Sequence, residues 1–407
     1  MGRLSKDSLR GLSSSIMNKI DESIQGKIED LSLKGLGVLK GPGGFVYFVP
    51  GVWIGEEVEV VVKRVEKNYG FARLKKLLKA SPSRRAVPCP HSGFSPGQCG
   101  GCPWMMVDER AQIQQKSRSF LDELKRAGLV GSNTQVDPIK ASPKSLEYRN
   151  RARLKTDGER VGFLSFGSQV FAPIENCLIL SQKNQRLLKA LKEKRRVESW
   201  EVASEQGLLE FEIDEELEVD EVMPRRPRPF RQANATQETF MKEWIQKRLE
   251  DMERPAINIL ELFCGQGTFT YLLAQYVKKE LFAFDSFELS IKELRCSKKR
   301  KIKAFKENLY SRNALREIAK RIEKPDKIDF LFLDPPRSGL KTVARFTECF
   351  PNLCQIIYVS CDLSSFIRDS KKLVANGWSI QNIVAVDQFP QTPHLEVLSF
   401  WVRKKGQ

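Results

Sequence analysis

The sequence predicts an α/β plus β chain: an open, doubly wound parallel sheet at the C-terminus, a small β-barrel at the N-terminus, and a mixed α+β stretch between them. Two observations predict the sheet. The apolar run Phe330-Leu331-Phe332-Leu333 ends in Asp334, and the run Ile356-Ile357-Tyr358-Val359 ends in Ser360-Cys361. Short, uniformly apolar runs read as strands buried on both faces. A third observation predicts the barrel. From Ile28 to about Ala80, short apolar and alternating runs are punctuated by Gly35, Gly37, Gly41, Gly43 and Gly44. Open α/β sheets bind ligands beyond the carboxyl ends of their strands, so Asp334 and Cys361 are delivered to the edge where a ligand sits.

A chain of 407 residues accommodates two or three domains. Its net charge of +17 points to a polyanionic partner, nucleic acid above all. No run approaches the ~20 apolar residues that span a bilayer. Met1 to Lys19 lacks the apolar centre of a secretory signal. Nine cysteines without such a signal imply a reducing compartment, and metal or catalytic roles rather than a disulfide frame. These features imply a cytoplasmic protein without a membrane partner.

Residues 1–25 read as a flexible basic arm, and 26–80 as the barrel. Within it, Phe45-Val46-Tyr47-Phe48-Val49 is an apolar strand, and Val58, Val60 and Val62 alternate with polar residues. Barrels of the OB type present aromatic and basic side chains to nucleic acid. The candidates are Phe45, Tyr47, Tyr69, Phe71, Arg73, Lys75 and Lys76.

Residues 81–228 form the central stretch. After a basic linker at Ser81 to Arg85 come Cys89-Pro90-His91 and Cys99-Gly100-Gly101-Cys102. Two cysteines separated by two residues bind one metal centre when the turn between them is tight. Cys89 is a candidate third ligand and Cys177 a fourth. Four thiolates suit zinc or an iron–sulfur cluster. Met106 to Ala127 has helical periodicity. Arg149, Arg151 and Arg153 alternate along a strand and form a stripe suited to phosphate contacts. The acidic stretch 198–221 reads as an outer strand or loop away from a polyanion, and Pro224 to Pro229 as a linker.

Residues 229–407 hold the sheet. Helical spacing from Thr239 to Leu249 precedes the strand Ile257 to Phe263, which runs into the turn Cys264-Gly265-Gln266-Gly267-Thr268. The next strand, Leu281 to Phe284, ends in Asp285 about twenty residues after the turn, where an acid hydrogen-bonds ribose hydroxyls. There is no lysine-bearing phosphate loop. A cofactor with a ribose but no phosphates fits: S-adenosyl-L-methionine.

Taken together, these residues resemble the RNA uracil-C5 methyltransferases, particularly the branch that acts on 23S ribosomal RNA. The resemblance rests on the barrel, the cysteines, Phe230-x-Gln232-x-Asn234, Leu262 to Phe269, Asp334-Pro335-Pro336-Arg337-Ser338-Gly339, Tyr358-Val359-Ser360-Cys361 and Pro393-His394-Leu395-Glu396. It implies a Rossmann-like methyltransferase domain, an RNA-binding TRAM barrel and a [4Fe-4S] cluster on Cys89, Cys99, Cys102 and Cys177. It places the nucleophile on Cys361 and the proton-abstracting carboxylate on Glu396. Gln232, Phe263, Gly265, Gly267, Asp285 and Asp334 match cofactor-site positions, with Gln232 and Asp334 also facing uracil. The partner implied is RNA, ribosomal first and transfer RNA second, and the protein is expected to act as a monomer. Asp362-Leu363 stands where the family has Asn-Pro, a change expected to alter substrate preference or positioning.

The chemistry needs these groups. A thiolate added at uracil C6 makes C5 nucleophilic, a base removes the C5 proton, and elimination frees the thiol. The ordinary thiol pKa is ~8.5, so a basic, partly desolvated site is expected to lower it. The competing readings are amino-group methylation of nucleic acid and a non-catalytic RNA-binding factor. Arg337 after the Asp-Pro-Pro motif argues against the first, and Cys361 with Glu396 against the second.

Overall fold

The computed structural model describes residues 20–201, 207–224, 228, 231–252, 256–297 and 299–403. Most of the basic arm, parts of the linker at 224–229, and Phe230 lie outside the described residues. The chain divides into two compact units. One comprises residues 1–112, 160–175 and 391–393, and the other 113–159, 176–390 and 394–407.

In the first unit, β1 (Ser23–Leu31), β2 (Gly37–Lys40), β3 (Val46–Val49), β4 (Glu57–Val65) and β5 (Tyr69–Lys79) close a barrel in the order β1-β2-β3-β5-β4. Alternate residues Val58, Val60 and Val62 fill its interior with Ile28, Leu39 and Tyr47. Tyr47 is therefore core, not a nucleic-acid contact. Phe48 points outward instead, within 6 Å (ring centroids) of Tyr69 and Phe71. The basic stretch after the barrel is anchored to it: Arg84 donates from Nε (2.5 Å) and Nη2 (2.8 Å) to the fully buried carboxylate of Glu56. Such a two-pronged pair is among the stronger charge-assisted contacts.

Helix α1 (Glu109–Arg126) follows, matching the expected helical stretch. Next come β6 (Gln135–Val136), β7 (Arg151–Thr156), β8 (Val161–Leu164), β9 (Phe171–Pro173), α2 (Gln182–Val197) and β10 (Leu209–Asp214). The acidic stretch does not lie apart from the basic stripe. β10 pairs antiparallel with β7, setting Glu212 opposite Arg153 and Glu210 opposite Lys155. Arg151 and Arg153 both pair with Glu212, and Lys155 with Glu210 at 2.7 Å. Arg151 and Arg153 of the stripe are thus paired across the ladder, as opposite charges on facing strands favour, while Arg149 donates from Nε to the Arg151 carbonyl at 2.9 Å.

The second unit is built on one large sheet. After α3 (Ala235–Glu250), strands β11 (Asn258–Leu262), β12 (Glu280–Asp285), β13 (Ile302–Lys306), β14 (Phe330–Leu333), β15 (Gln355–Ser360), β16 (Trp378–Val386) and β17 (Glu396–Arg403) join β6 in the order β13-β12-β11-β14-β15-β17-β16-β6. The pairings from β13 to β15 are parallel, and β17 runs antiparallel to both β15 and β16. Every residue of β11 and β14 is buried. Ile259, Phe332, Ile357, Val384 and Leu398 share one core with α3 and with α4 (Thr270–Tyr276). Ala283 meets Ile291 of α5 (Glu288–Cys296), and, after α6 (Ala314–Ile322) and α7 (Val343–Cys349), α8 (Leu363–Ala375) sets Phe366 5.7 Å from the ring of Tyr358. At ~1.5–3 kcal/mol per buried large apolar side chain, this interior fixes the strand ends that carry the polar groups. No described helix is long and apolar enough to cross a membrane.

Candidate active site

Strand register brings the chemistry together. Leu262 of β11 lies beside Leu333 of β14, Leu333 beside Tyr358 of β15, and Ser360 beside Val397 of β17. Asp334 and Cys361 each follow a strand end, and Glu396 opens β17 at that same edge. Antiparallel β17 is what makes this possible, because its first residue arrives where β14 and β15 finish. Glu396 is only 2% exposed.

The three groups sense one another. Burial, then Asp334, pushes the Glu396 carboxyl well above the usual carboxylate range, with Arg337 opposing. Burial and Asp285 push Asp334 up to about 7. Burial, Glu396 and Asp334 together push the Cys361 thiol up, and Arg337 pulls it back. The expectation of a thiol lowered by a basic surround is therefore corrected: two carboxyls face the sulfur. His394 is held neutral by burial and by Arg337, Lys116 and Arg149, its pKa pushed down to about 4.

The glycine turn sits at the adjacent strand ends. Gly265 donates from its backbone N to Asp285 Oδ2 at 3.0 Å, and Phe287 N donates to Oδ1 at 2.8 Å. Asp285 thus shapes the turn. Gly267 has φ +89°, and a Cβ there would lie 2.6 Å from Leu294. Phe263 adopts φ +65°, a costly backbone for a side chain with a Cβ. Its ring packs 5.6 Å from that of Tyr310. Tyr310 in turn hydrogen-bonds Ser338 and donates to the Gly339 carbonyl, tying the turn to the Asp334–Gly339 segment.

One acid escaped the sequence reading. Glu261, in the middle of the apolar strand β11, is 1% exposed, and its Oε2 has no hydrogen-bond partner. Burial, Asp334 and Asp285 push its pKa up to about 8 against the opposing Thr270. A buried acid inside Ile-Leu-Glu-Leu is the signal that could have revealed it. Gln232 is 2% exposed and accepts from Gln388 Nε2 at 2.9 Å. Three crowded carboxyls, an open turn and an unsatisfied oxygen suit a cationic ligand with hydroxyls, because a positive charge relieves their repulsion.

The cysteines expected to bind a metal behave differently. Cys89, Cys99 and Cys102 belong to the first unit and Cys177 to the second. Burial raises the Cys99 thiol, a Gly101 backbone contact lowers it, and nearby Cys89 raises it further. Among the described residues, however, no group of three or more His, Cys, Asp or Glu side chains stands close enough to hold a metal ion.

A profile of the tRNA (uracil-5-)-methyltransferase family matches residues 182–404, and one of the TRAM domain matches residues 26–75. The chain belongs to this methyltransferase family. An uncharacterised RNA methyltransferase of Nitrosomonas europaea is 36% identical to it over 388 residues, spanning 94% of this chain and 98% of the relative. A 23S rRNA (uracil(1939)-C(5))-methyltransferase of Chromohalobacter salexigens is 28% identical, spanning 92% and 88%. The solved tRNA (uracil-54, C5)-methyltransferase of Pyrococcus abyssi, in complex with S-adenosyl-L-homocysteine, aligns over 93% of this chain and all of its own. That alignment has a TM-score of 0.64 at 22% identity, which establishes a shared fold. This uracil-C5 methyltransferase therefore joins a TRAM barrel to an S-adenosylmethionine-dependent methyltransferase fold.

Proposed function

We propose that the chain forms 5-methyluridine in 23S rRNA, with Cys361 as nucleophile, Glu396 as base and S-adenosyl-L-methionine as methyl donor. The observation that carries this reading is the register that sets Asp334, Cys361 and Glu396 at one sheet edge. Gln232, Phe263, Gly265, Gly267, Asp285 and Asp334 would hold the cofactor. When bound, it supplies an electrophilic methyl group on a positively charged sulfur.

The Cys361 thiolate adds to uracil C6, and the C5–C6 π electrons move toward O4, leaving C5 nucleophilic. After C5 is alkylated, the Glu396 carboxylate takes the C5 proton and the S–C6 bond breaks, regenerating the thiolate. Arg337 favours the thiolate, and Asp334 holds the uracil edge. Paired uracils must first leave their stack, at a cost of a few kcal/mol that RNA contacts elsewhere offset.

In this reading residues 1–25 are an arm, 26–80 the RNA-binding barrel, 81–228 the central domain and 229–407 the doubly wound catalytic domain of a cytoplasmic monomer. The resemblance places a [4Fe-4S] cluster on Cys89, Cys99, Cys102 and Cys177. No step depends on it.

The test uses 23S rRNA and tRNA transcripts in which 5-fluorouridine replaces uridine, with S-adenosyl-L-methionine. Fluorine cannot leave C5 as a cation, so a covalent complex should accumulate on 23S rRNA, and peptide mass spectrometry should place it on Cys361. A complex on tRNA alone would transfer the substrate to tRNA. No complex with either RNA would overturn the reading.

A further inference from the structure

Gln388 has no assigned role, yet it is fully buried and its Nε2 donates to Gln232 Oε1 at 2.9 Å. It lies two residues beyond Val386, whose partner across the ladder is Glu396. Its backbone is held on both sides. Gln237 Nε2 donates to the Asp387 carbonyl at 3.1 Å, and Lys116 Nζ donates to the Phe389 carbonyl at 3.1 Å. Lys116 is fixed in turn by Asp387 at 2.5 Å. Gln237 belongs to the helix start capped by Asn234, two residues after Gln232. Both ends of the Gln232–Gln388 bond are therefore mounted on one clamped assembly.

A glutamine amide can turn over and exchange its donor and acceptor, so a pair of them has two hydrogen-bonded arrangements. In the first, Gln388 donates, and the Nε2 hydrogens of Gln232 remain for a ligand. No described residue accepts from that group. In the second, Gln232 donates and its carbonyl faces the ligand. The first leaves Gln388 Oε1 buried without a partner, as observed. The second would leave a buried N–H₂ there instead. An orphaned donor is the rarer and costlier defect, so the pair settles with Gln232 presenting a donor.

We infer that Gln388 is a specificity-positioning residue: it locks the Gln232 amide so that the site offers a hydrogen-bond donor to a uracil carbonyl and opposes the amino group of cytosine. This rests on the proposed function, and on the resemblance by which Gln232 faces uracil as well as the cofactor. Uracil presents oxygen at C4 where cytosine presents an N–H donor. An unlocked amide can satisfy either base by turning over. A locked one leaves two donors facing each other when cytosine enters.

The test compares two transcripts identical except for U or C at the target nucleotide, which the 5-fluorouridine complex locates. Wild-type protein should methylate the U transcript and discriminate strongly against C. Gln388→Met removes the lock while keeping length and burial. It should lower the U-to-C ratio of kcat/KM by about tenfold or more, in line with one hydrogen bond to a buried group. A merely structural role would lower both rates together and leave the ratio unchanged, which would overturn the inference. Should Gln388→Met fail to fold, Gln388→Glu serves. Its carboxylate can only accept, so it turns Gln232 over, and the ratio should again fall at alkaline pH. A retained ratio in that variant would equally overturn it. Failure of the wild-type protein to methylate U would instead sink the proposed function, and this inference with it.

Discussion

Burial and the carboxyls of Glu396 and Asp334 push the Cys361 thiol up while Arg337 pulls it down, so substitutions at these positions should move it in opposite directions. Alkylation by iodoacetamide follows the thiolate fraction. At pH 8, without cofactor or RNA, Glu396→Gln and Asp334→Asn should each speed labelling of the Cys361 peptide severalfold, and Arg337→Gln should slow it. Equal rates in all four proteins would show that the sulfur does not sense these charges. Glu261 allows a test through stability. Its carboxyl rises from an ordinary 4.5 to about 8 in the folded chain. Between these values the unfolded chain has released the proton and the folded chain keeps it, so folding stability must fall as pH rises across that window. Glu261→Gln cannot titrate. Its Tm should match that of the wild type near pH 4.5 and exceed it progressively toward pH 8; parallel Tm curves would refute the shift.

Among the elements, helix α8 does more than follow the nucleophile. Ser365 Oγ donates to the Arg337 carbonyl, Arg368 Nη2 to that of Ser338 and Lys372 Nζ to that of Lys341. Asp369, fully buried, accepts from Leu340 N at 2.7 Å and from the Tyr358 hydroxyl at 2.9 Å. One helix face at i, i+3, i+4 and i+7 thus grips the loop that positions Arg337 beside Cys361. The Asp334–Gly339 motif was legible in the sequence, but its grip was not, because the partners lie about thirty residues away and look like ordinary surface polar residues. Asp362 was legible only as a departure from the family pattern. Its side chain caps α8 by accepting from Ser365 N at 2.7 Å. Asp and Asn cap equally well, so Asp362→Asn should leave stability unchanged, while Asp362→Ala should cost about 1 kcal/mol in denaturant unfolding. Gly339 adopts φ +64°, and a Cβ there would collide with Asp369. Gly339→Ala should therefore destabilise by more than the cap loss. If it proved neutral, the loop would not be gripped as described.

At the scale of the whole chain, the net charge of +17 does not say where RNA lies. The stripe of Arg149, Arg151 and Arg153 reads as a phosphate track, but β10 brings Glu210 and Glu212 to Arg151 and Arg153, a pairing that no local pattern encodes. Tyr47 departs from its expected place for a different reason. Phe45 to Val49 is apolar at every position, so its period of two is invisible, and only closure of the barrel decides that Tyr47 faces in and Phe48 out. What remains at the surface is a cluster of exposed Tyr69 with half-buried Phe48 and Phe71, the Arg64 guanidinium lying 5.6 Å from the Phe71 ring centre. Aromatic faces beside a cation stack on unpaired bases at about 1–3 kcal/mol per base. Deleting residues 1–80 would not isolate that contribution. It would strip Leu31 and Trp53 from the cluster they form with Trp104 and Met106, and Glu56 from Arg84. Point substitution does isolate it. Tyr69→Ala and Phe71→Ala, made together, should weaken binding to the 23S rRNA transcript about tenfold or more in filter binding. The thermal midpoint should hardly move, and the slope of affinity against salt should be retained, because no phosphate contact is lost. Tyr47→Ala should do the reverse, costing about 3–5 kcal/mol of stability as a large core truncation does. Should the double variant bind RNA as the wild type does, the exposed cluster would not be an RNA-stacking surface, and the charge of the chain would have to act elsewhere.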